Sequence, residues 1–262
     1  MKKVLSDYSE WLRLGVAIVL MPVALISSGF INLPYVPMGL LLLMLVNWGM
    51  FRSEKMDFSA VGFDLKRRHM ALIPLGLVMG LLAYFLCYGL GALIRGNELR
   101  LNPDVNWNEF FKKFWIVLPT TAVQDFLVAG YCYHKLIRLT NVQIATIVAG
   151  LCFVSMHDVW GGNIINNLFY ASGLFAGYLM FSTALLRSGS IWLVIGLHWG
   201  NNFTNSFVIT FKPTATSWLY LHGAMQVFST WQAIGLLLAF WLNAVCVIVL
   251  IRMIWRKRRL NV

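Results

Sequence analysis

Charged residues are few in this sequence: only 12% of its 262 residues are Asp, Glu, Lys or Arg. A soluble domain usually carries about 25% of these residues, whereas 59% of this chain is hydrophobic. A chain this apolar has too few polar groups to cover a water-facing surface, which excludes an ordinary soluble domain. The composition instead predicts a single integral-membrane domain over residues 1–262.

The sequence motifs of several common protein classes are also missing. The four cysteines lie in apolar runs without CxxC spacing, which favours small buried hydrophobes over disulfides or a zinc site. There is no HExxH motif of zinc peptidases, and no C-terminal CaaX box that would make the chain itself a prenylation target. The net charge of +11 comes from Lys and Arg in short loops and the C-terminal tail, where membrane lipid rather than nucleic acid is the expected partner.

Long apolar runs are the dominant feature that is present. Each is near the ~20 residues that a helix needs to cross the hydrocarbon core, and lipid cannot hydrogen-bond the backbone of an open strand. We therefore predict an all-α polytopic membrane helix bundle with about eight transmembrane helices. The runs cover about residues 11–31, 37–51, 70–94, 114–136, 142–160, 164–186, 190–211 and 231–255.

Basic residues are distributed unevenly between the two sides of these spans. With both termini on one side, that side holds sixteen of the 21 Lys and Arg residues. The positive-inside rule then predicts that both termini are cytoplasmic, and a bacterial inner membrane is the expected location. The other side holds only Arg95, Arg100, Lys112, Lys113 and Lys212.

The two longest outer loops are rich in aromatic residues. In the loop 95–113 we expect a short helix lying in the membrane interface, with Trp107, Phe110 and Phe111 facing lipid. The loop 212–230 is expected to contribute to an aromatic belt at the same surface, because tryptophan and tyrosine favour the level of the lipid headgroups.

Three polar clusters interrupt the apolar runs. Asp125 lies in the fourth run, where a carboxylate costs roughly 2.5–3.5 kcal/mol, so we expect it to face protein or water. His157 lies near the outer end of the fifth run, while His198 and Asn202, four residues apart, share one face of the seventh. Hydrogen bonds between helices, worth about 0.6 kcal/mol each, are the structural alternative to a common polar site on spans 4, 5 and 7.

The order of these clusters resembles that of the CAAX-protease and bacteriocin-processing (CPBP, or Abi) family of intramembrane peptidases. The family pattern is Glu-Glu-x-x-x-Arg, then Phe-x-x-x-His, then His-x-x-x-Asn. The second motif ends here at His157 and the third runs from His198 to Asn202, so the resemblance covers about residues 114–211. The first motif departs from the pattern, because glutamine and aspartate replace the two glutamates and Ala129 replaces the arginine.

The resemblance implies a role for each of these side chains. Gln124 and His157 would activate water, and His198 and Asn202 would stabilise the tetrahedral intermediate. Glutamine can orient a water molecule but cannot take its proton. Two hypotheses remain for the base: Asp125 serves after a rotation of its helix, or His157 acts alone.

The expected reaction is hydrolysis of a peptide bond in a membrane-associated polypeptide, such as a lipidated tail or a leader peptide. The alternative is a catalytically inactive relative that binds a membrane partner as a scaffold. A divalent metal such as zinc is a further alternative, since Asp125, His157 and His198 would supply two histidines and one carboxylate.

Overall fold

The computed structural model describes residues 2–31, 36–159, 161, 164–223, 229–257 and 260, without the side chains of residues 2–8 and 166. The helices in chain order are α1 Lys2–Ser28, α2 Met38–Ser53, α3 Arg67–Met70, α4 Leu72–Arg95, α5 Trp107–Ala129, α6 Tyr131–Leu139, α7 Val142–Ser155, α8 Ile164–Ser188, α9 Ile191–Phe203 and α10 Thr230–Ile254. The strands are β1 Glu98–Leu101, β2 Ile209–Thr210 and β3 Leu219–His222, and a π turn covers Thr204–Val208.

Every apolar run of the sequence contains a helix, so the predicted all-α membrane bundle is confirmed. Two of these helices, α2 and α7, are apolar but have only 16 and 14 residues. At 1.5 Å per residue, α7 is about 21 Å long and crosses only part of the ~30 Å hydrocarbon layer. The described segments long and apolar enough to cross a membrane on their own are Ser9–Ser28, Arg67–Arg95, Asn167–Ser188 and Thr230–Ile254.

The fourth apolar run is not one helix, as the sequence predicted, but breaks at Gly130 between α5 and α6. The buried side chain of Asn47, on α2, occupies the break: its Oδ1 accepts from Tyr131 N at 2.8 Å and its Nδ2 donates to Leu43 O at 2.9 Å. A Cβ atom at position 130 would overlap the Asn47 amide, so glycine is required there. The Asn47 side chain therefore accepts the hydrogen bond from Tyr131 N that a backbone carbonyl would accept in an unbroken helix.

The crossing of α4 and α9 is a backbone-to-backbone contact made through four glycines. Gly76 and Gly80 on α4, and Gly196 and Gly200 on α9, lie so close to the opposite helix that an added Cβ atom would overlap its backbone. Each pair has G-x-x-x-G spacing, which places both glycines on one helix face. The crossing fixes α9 against α4, and α9 carries His198 between its two glycines.

Ion pairs join α1, α2 and α6 at one end of the bundle. Lys135 has no exposed side-chain surface and contacts the carboxylates of Glu10 and Glu54, while Arg138 lies 2.7 Å from Glu54. Burial acts to raise the pKa of Glu54, but hydrogen bonds from Lys135 and Tyr131 and the charges of Lys135 and Arg138 hold that pKa below its usual value. Glu54 directly follows α2, and its burial had no counterpart in the sequence analysis.

The remaining loops on this side meet at the same end, which we call the basic end. The indole Nε1 of Trp192, at the start of α9, donates to the Asp64 carbonyl at 2.9 Å. Arg187, at the end of α8, donates to the Arg256 carbonyl at 2.7 Å. The start of α1, the end of α10 and the segments that join α2 to α4 and α8 to α9 are thus held together.

The opposite end, which we call the sheet end, carries a three-stranded sheet of order β1-β3-β2. β1 is antiparallel and β2 parallel to β3. Beside it, Trp107 opens α5 itself, so the separate interfacial helix expected in the loop 95–113 is wrong. Trp107 and Phe111 are exposed as expected, but Phe110 is buried with its ring centroid 5.0 Å from that of Phe203.

Candidate active site

A cavity of about 610 Å³ lies among α4, α5, α8, α9 and α10. The three segments that the sequence analysis identified each contribute polar lining: Gln124 on α5, His157 just after α7, and Asn202 on α9; Arg95 at the end of α4 adds a charged group. Leu221 of β3 also lines the cavity, which therefore reaches the sheet end. The aromatic part of the wall consists of Tyr84, Tyr88, Phe169, Tyr170, Phe211 and Phe240.

Asp125 and His198 lie behind this wall and are almost completely buried. His198 Nδ1 is 2.9 Å from Asp125 Oδ1, and His198 Nε2 is 3.1 Å from Asn202 Nδ2. An amide nitrogen only donates, so Nε2 accepts, and the ring proton on Nδ1 is donated to the Asp125 carboxylate. This chain of contacts fixes the ring of His198 and leaves the second N–H of Asn202 for another acceptor.

The same geometry bears on which residue serves as base. Gln124, not Asp125, lines the cavity, and Oδ1 of Asp125 is engaged by His198. Asp125 Oδ1 thus contacts the His198 imidazole, while its Oδ2 has no hydrogen-bond partner among the described residues. Gln124 Oε1 is buried and has no hydrogen-bond partner among the described residues, so it is a free acceptor beside the cavity.

The spacing of the Phe-x-x-x-His motif has a direct structural explanation. α7 ends at Ser155, and His157 Nδ1 lies 2.8 Å from the carbonyl oxygen of Phe153, one turn back. A carbonyl only accepts, so Nδ1 carries the proton and Nε2 keeps its lone pair. The last turn of α7 thus fixes the tautomer of a histidine that lines the cavity.

Phe153 also links the two histidines of the site. Its ring centroid lies 4.8 Å from that of His157 and 5.7 Å from that of His198. Phe181 of α8 packs on the other imidazole, with its centroid 4.6 Å from that of His198. The two aromatic rings therefore limit the movement of both imidazoles, and the phenylalanine of the motif has a positioning role.

The π turn at Thr204–Val208 continues the polar surface beyond α9. It places Asn205 and Ser206 in the cavity wall, where both are exposed, and Asn205 is hydrogen-bonded to the hydroxyl of Tyr88 on α4. Single π turns inside helices are frequent at functional sites. In the sequence Asn205 lies three residues after Asn202, whereas nothing in the pattern of α4 distinguished Tyr88 from its apolar neighbours.

The metal alternative does not fit these contacts. Within the described ranges, no three His, Cys, Asp or Glu side chains are grouped closely enough to hold an ion. Asp125 and His198 use the facing atoms Oδ1 and Nδ1 on each other, and His198 Nε2 is taken by Asn202. Asp125 Oδ2 has no described partner, but Asp125, His157 and His198 do not form one cluster.

The fold and the cavity define a class of protein: a polytopic membrane helix bundle with an intramembrane polar pocket built around two histidines and amide side chains. Residues 106–204 match the family model described as type II CAAX prenyl endopeptidase Rce1-like. This part of the chain is therefore similar to the CAAX-protease-like peptidases of the CPBP family, and it includes all three motifs. No curated protein matches the chain.

Proposed function

We propose that this protein is an intramembrane endopeptidase that hydrolyses a peptide bond in a membrane-associated polypeptide. The observation that carries the proposal is His157, which lines the cavity with Gln124 and Asn202 while the Phe153 carbonyl holds its Nδ1. An imidazole with one accepting nitrogen, set beside amide groups in a protein-lined cavity, is suited to general-base hydrolysis. The family match supports the same class of reaction.

The steps follow from the donors and acceptors of the site. Nε2 of His157 takes a proton from water while the water oxygen attacks the scissile carbonyl carbon, and the side-chain amide of Gln124 hydrogen-bonds the same water. The second N–H of Asn202 donates to the oxyanion that forms. His157 then gives its proton to the leaving amine as the C–N bond breaks, which yields a carboxylic acid, an amine and the original imidazole.

Gln124 sets the expected speed of this reaction. A carboxylate at that position would offer a second base, and a positioned general base typically contributes about 10²–10⁴ in rate. Asp125 does not replace it, because its contact with His198 orients the imidazole instead. We therefore propose a slow peptidase in which His157 is the proton acceptor among the described residues that line the cavity.

The test compares the wild type with His157→Ala and His222→Ala in liposomes, using a quenched fluorogenic library of apolar peptides and mass spectrometry of new termini. His222 is an exposed histidine at the end of β3, outside the cavity lining, and serves as the matched control. We expect cleavage by the wild type and His222→Ala, and a loss of about 10²–10⁴ in His157→Ala with unchanged thermal stability. Equal cleavage by His157→Ala would contradict the mechanism.

An inactive relative that binds a membrane partner is the second candidate. The observation that favours it is the absence of any Asp or Glu among the described residues that line the cavity. In that case the wild type and His157→Ala would produce no new peptide termini, and both would retain the same membrane protein through detergent purification. Cleavage by the wild type would exclude this candidate.

We also propose that the protein lies in a bacterial inner membrane with both termini cytoplasmic. The positive-inside count supports this orientation, and the described contacts bring the loops of the basic end together. Its partners would be lipid and a polypeptide substrate, for which a lipidated tail and a leader peptide are the two forms that the family suggests.

A further inference from the structure

We propose that the cavity receives its polypeptide from the non-cytoplasmic side of the membrane. The substrates would then be exported or secreted segments rather than cytoplasmic tails. That this polypeptide is a substrate rests on the peptidase function proposed above, whereas the side of access follows from geometry and charge. Three observations support it: the position of the lining, the packing beneath it, and the distribution of basic residues.

On α4, α8, α9 and α10 the lining lies in the half of the helix nearer the sheet end, and on α5 it begins at Val117 and reaches Gln124, past the middle of the helix. On α4 it runs from Tyr84 to Arg95, the last residue of the helix, and on α8 it ends at Leu174, ten residues after the helix begins. α9 starts at the basic end, and Asn202 lies eleven residues further on, about 16 Å along the axis. The cavity thus spans the region from the middle of the bundle to the sheet.

Polar residues on the cavity wall are reachable from outside the protein. Thr120 on α5 and Asn205 and Ser206 in the π turn are all exposed, although they lie among apolar helices. Polar groups at this depth need water or a polar partner, since lipid offers neither. The exposed surface of Asn205 and Ser206, which follow the end of α9, therefore marks an opening of the cavity toward the sheet end.

A layer of packed aromatic rings closes the other direction. Phe126, two residues beyond Gln124 toward the basic end, is buried, and its ring centroid lies 5.1 Å from that of Phe63. Phe63 stacks on Trp192 at 4.2 Å, six residues before His198 on the basic side. Interiors packed at this density leave no passage for a peptide, so the basic end is sealed.

The basic residues assign the two ends to the two sides of the membrane. Sixteen of the 21 Lys and Arg residues belong to the segments of the basic end, which the positive-inside rule places in the cytoplasm. The sheet end carries the other five together with Glu98, Asp104, Glu109 and Asp158, so its charge is nearly balanced. A cavity that, among the described residues, opens at the sheet end is therefore open to the outer side.

Cysteine labelling tests the side of access without any need for activity. Starting from a chain with its four cysteines replaced, Ser206→Cys and Thr120→Cys probe opposite walls of the cavity. Ala215→Cys is the control in the loop before β3, and Arg68→Cys is the control in α3 at the basic end; both positions are exposed. A charged, membrane-impermeant maleimide is added to right-side-out and to inverted membrane vesicles.

We expect both cavity cysteines to react like Ala215→Cys in right-side-out vesicles and to lose that labelling in inverted ones, with Arg68→Cys showing the reverse. Labelling of the cavity cysteines together with Arg68→Cys, or no labelling of either cavity cysteine from either side, would overturn the proposal. A protein labelled as expected but without peptidase activity would keep this inference and reject only the proposed reaction.

Discussion

The ion-pair cluster at the basic end and the cavity wall in the other half of the bundle use their polar side chains in opposite ways. At the basic end, Lys135 and Glu54 are buried and satisfied by each other and by neighbouring charges. Around the cavity, Gln124 Oε1 has no partner among the described residues, and Asn202 keeps a second N–H beyond its contact with His198. The difference suggests that one half contributes stability while the other keeps donors and acceptors available for a ligand.

The largest expected effect is a gain of function in the cavity half. Gln124→Glu is nearly isosteric and adds a carboxylate base beside His157, so we expect cleavage faster by up to about 10²–10⁴ in the liposome peptide assay. Gln124→Leu is the matched control and should be slower than the wild type, because it neither orients nor deprotonates water. A folded Gln124→Glu protein with wild-type rate would show that a second base does not help.

In the basic half, the largest effect should come from removing a buried charge. Glu54→Ala leaves Lys135 buried with only Glu10 as its ion-pair partner, and breaking a buried pair typically costs about 3–5 kcal/mol. Thermal unfolding in detergent measures the loss. Glu98→Ala removes an exposed ion pair with Arg100 and should leave the unfolding temperature almost unchanged. Similar shifts for both variants would refute the contrast between the halves.

The α4–α9 crossing joins the two halves and gives an intermediate effect. Gly80→Ala places a methyl group against the backbone of α9, and overpacking of this kind costs about 1–3 kcal/mol. Gly89, on the same helix, has no atom near its Cβ position, so Gly89→Ala should be neutral or stabilising by up to ~1 kcal/mol. Unfolding in detergent distinguishes the two, and equal stability would contradict the described crossing.

The smallest effect is the acid sensitivity of the basic end. Because the folded pKa of Glu54 is held below the usual value of 4.5, its ionised form stabilises the fold fully above about that pH. This contribution is lost as the pH falls through the lower folded pKa. The gap in unfolding temperature between wild type and Glu54→Gln should therefore be widest near neutral pH and narrow in acid. A constant gap would show that the charge of Glu54 is not what matters.

Hydrophobic runs predicted the location of the helices well, because each run must satisfy its backbone internally in lipid. The positions of Gln124, His157 and Asn202 on one cavity were also anticipated from motif order. The break at Gly130 was missed, since it depends on Asn47, more than eighty residues earlier in the chain. Such a contact carries no local periodicity.

The glycine crossing and the buried residues Glu54 and Phe110 differ in how far the sequence could predict them. The glycine pairs on α4 and α9 have a spacing that sequence reading can detect, but which helices they join is a tertiary fact. The burial of Glu54 and of Phe110 depends on neighbours that the chain brings from elsewhere, so the burial of Glu54 was not predicted and Phe110 was predicted to face lipid.

The glycine crossing has a consequence for how this protein can vary. Its contact is made by main-chain atoms, so the spacing of α4 and α9 does not depend on which side chain occupies position 124. A framework of this kind tolerates exchange of a catalytic group without collapse. The same fold can therefore carry a fast, a slow or an inactive catalytic site, so the fold by itself does not indicate the rate of catalysis.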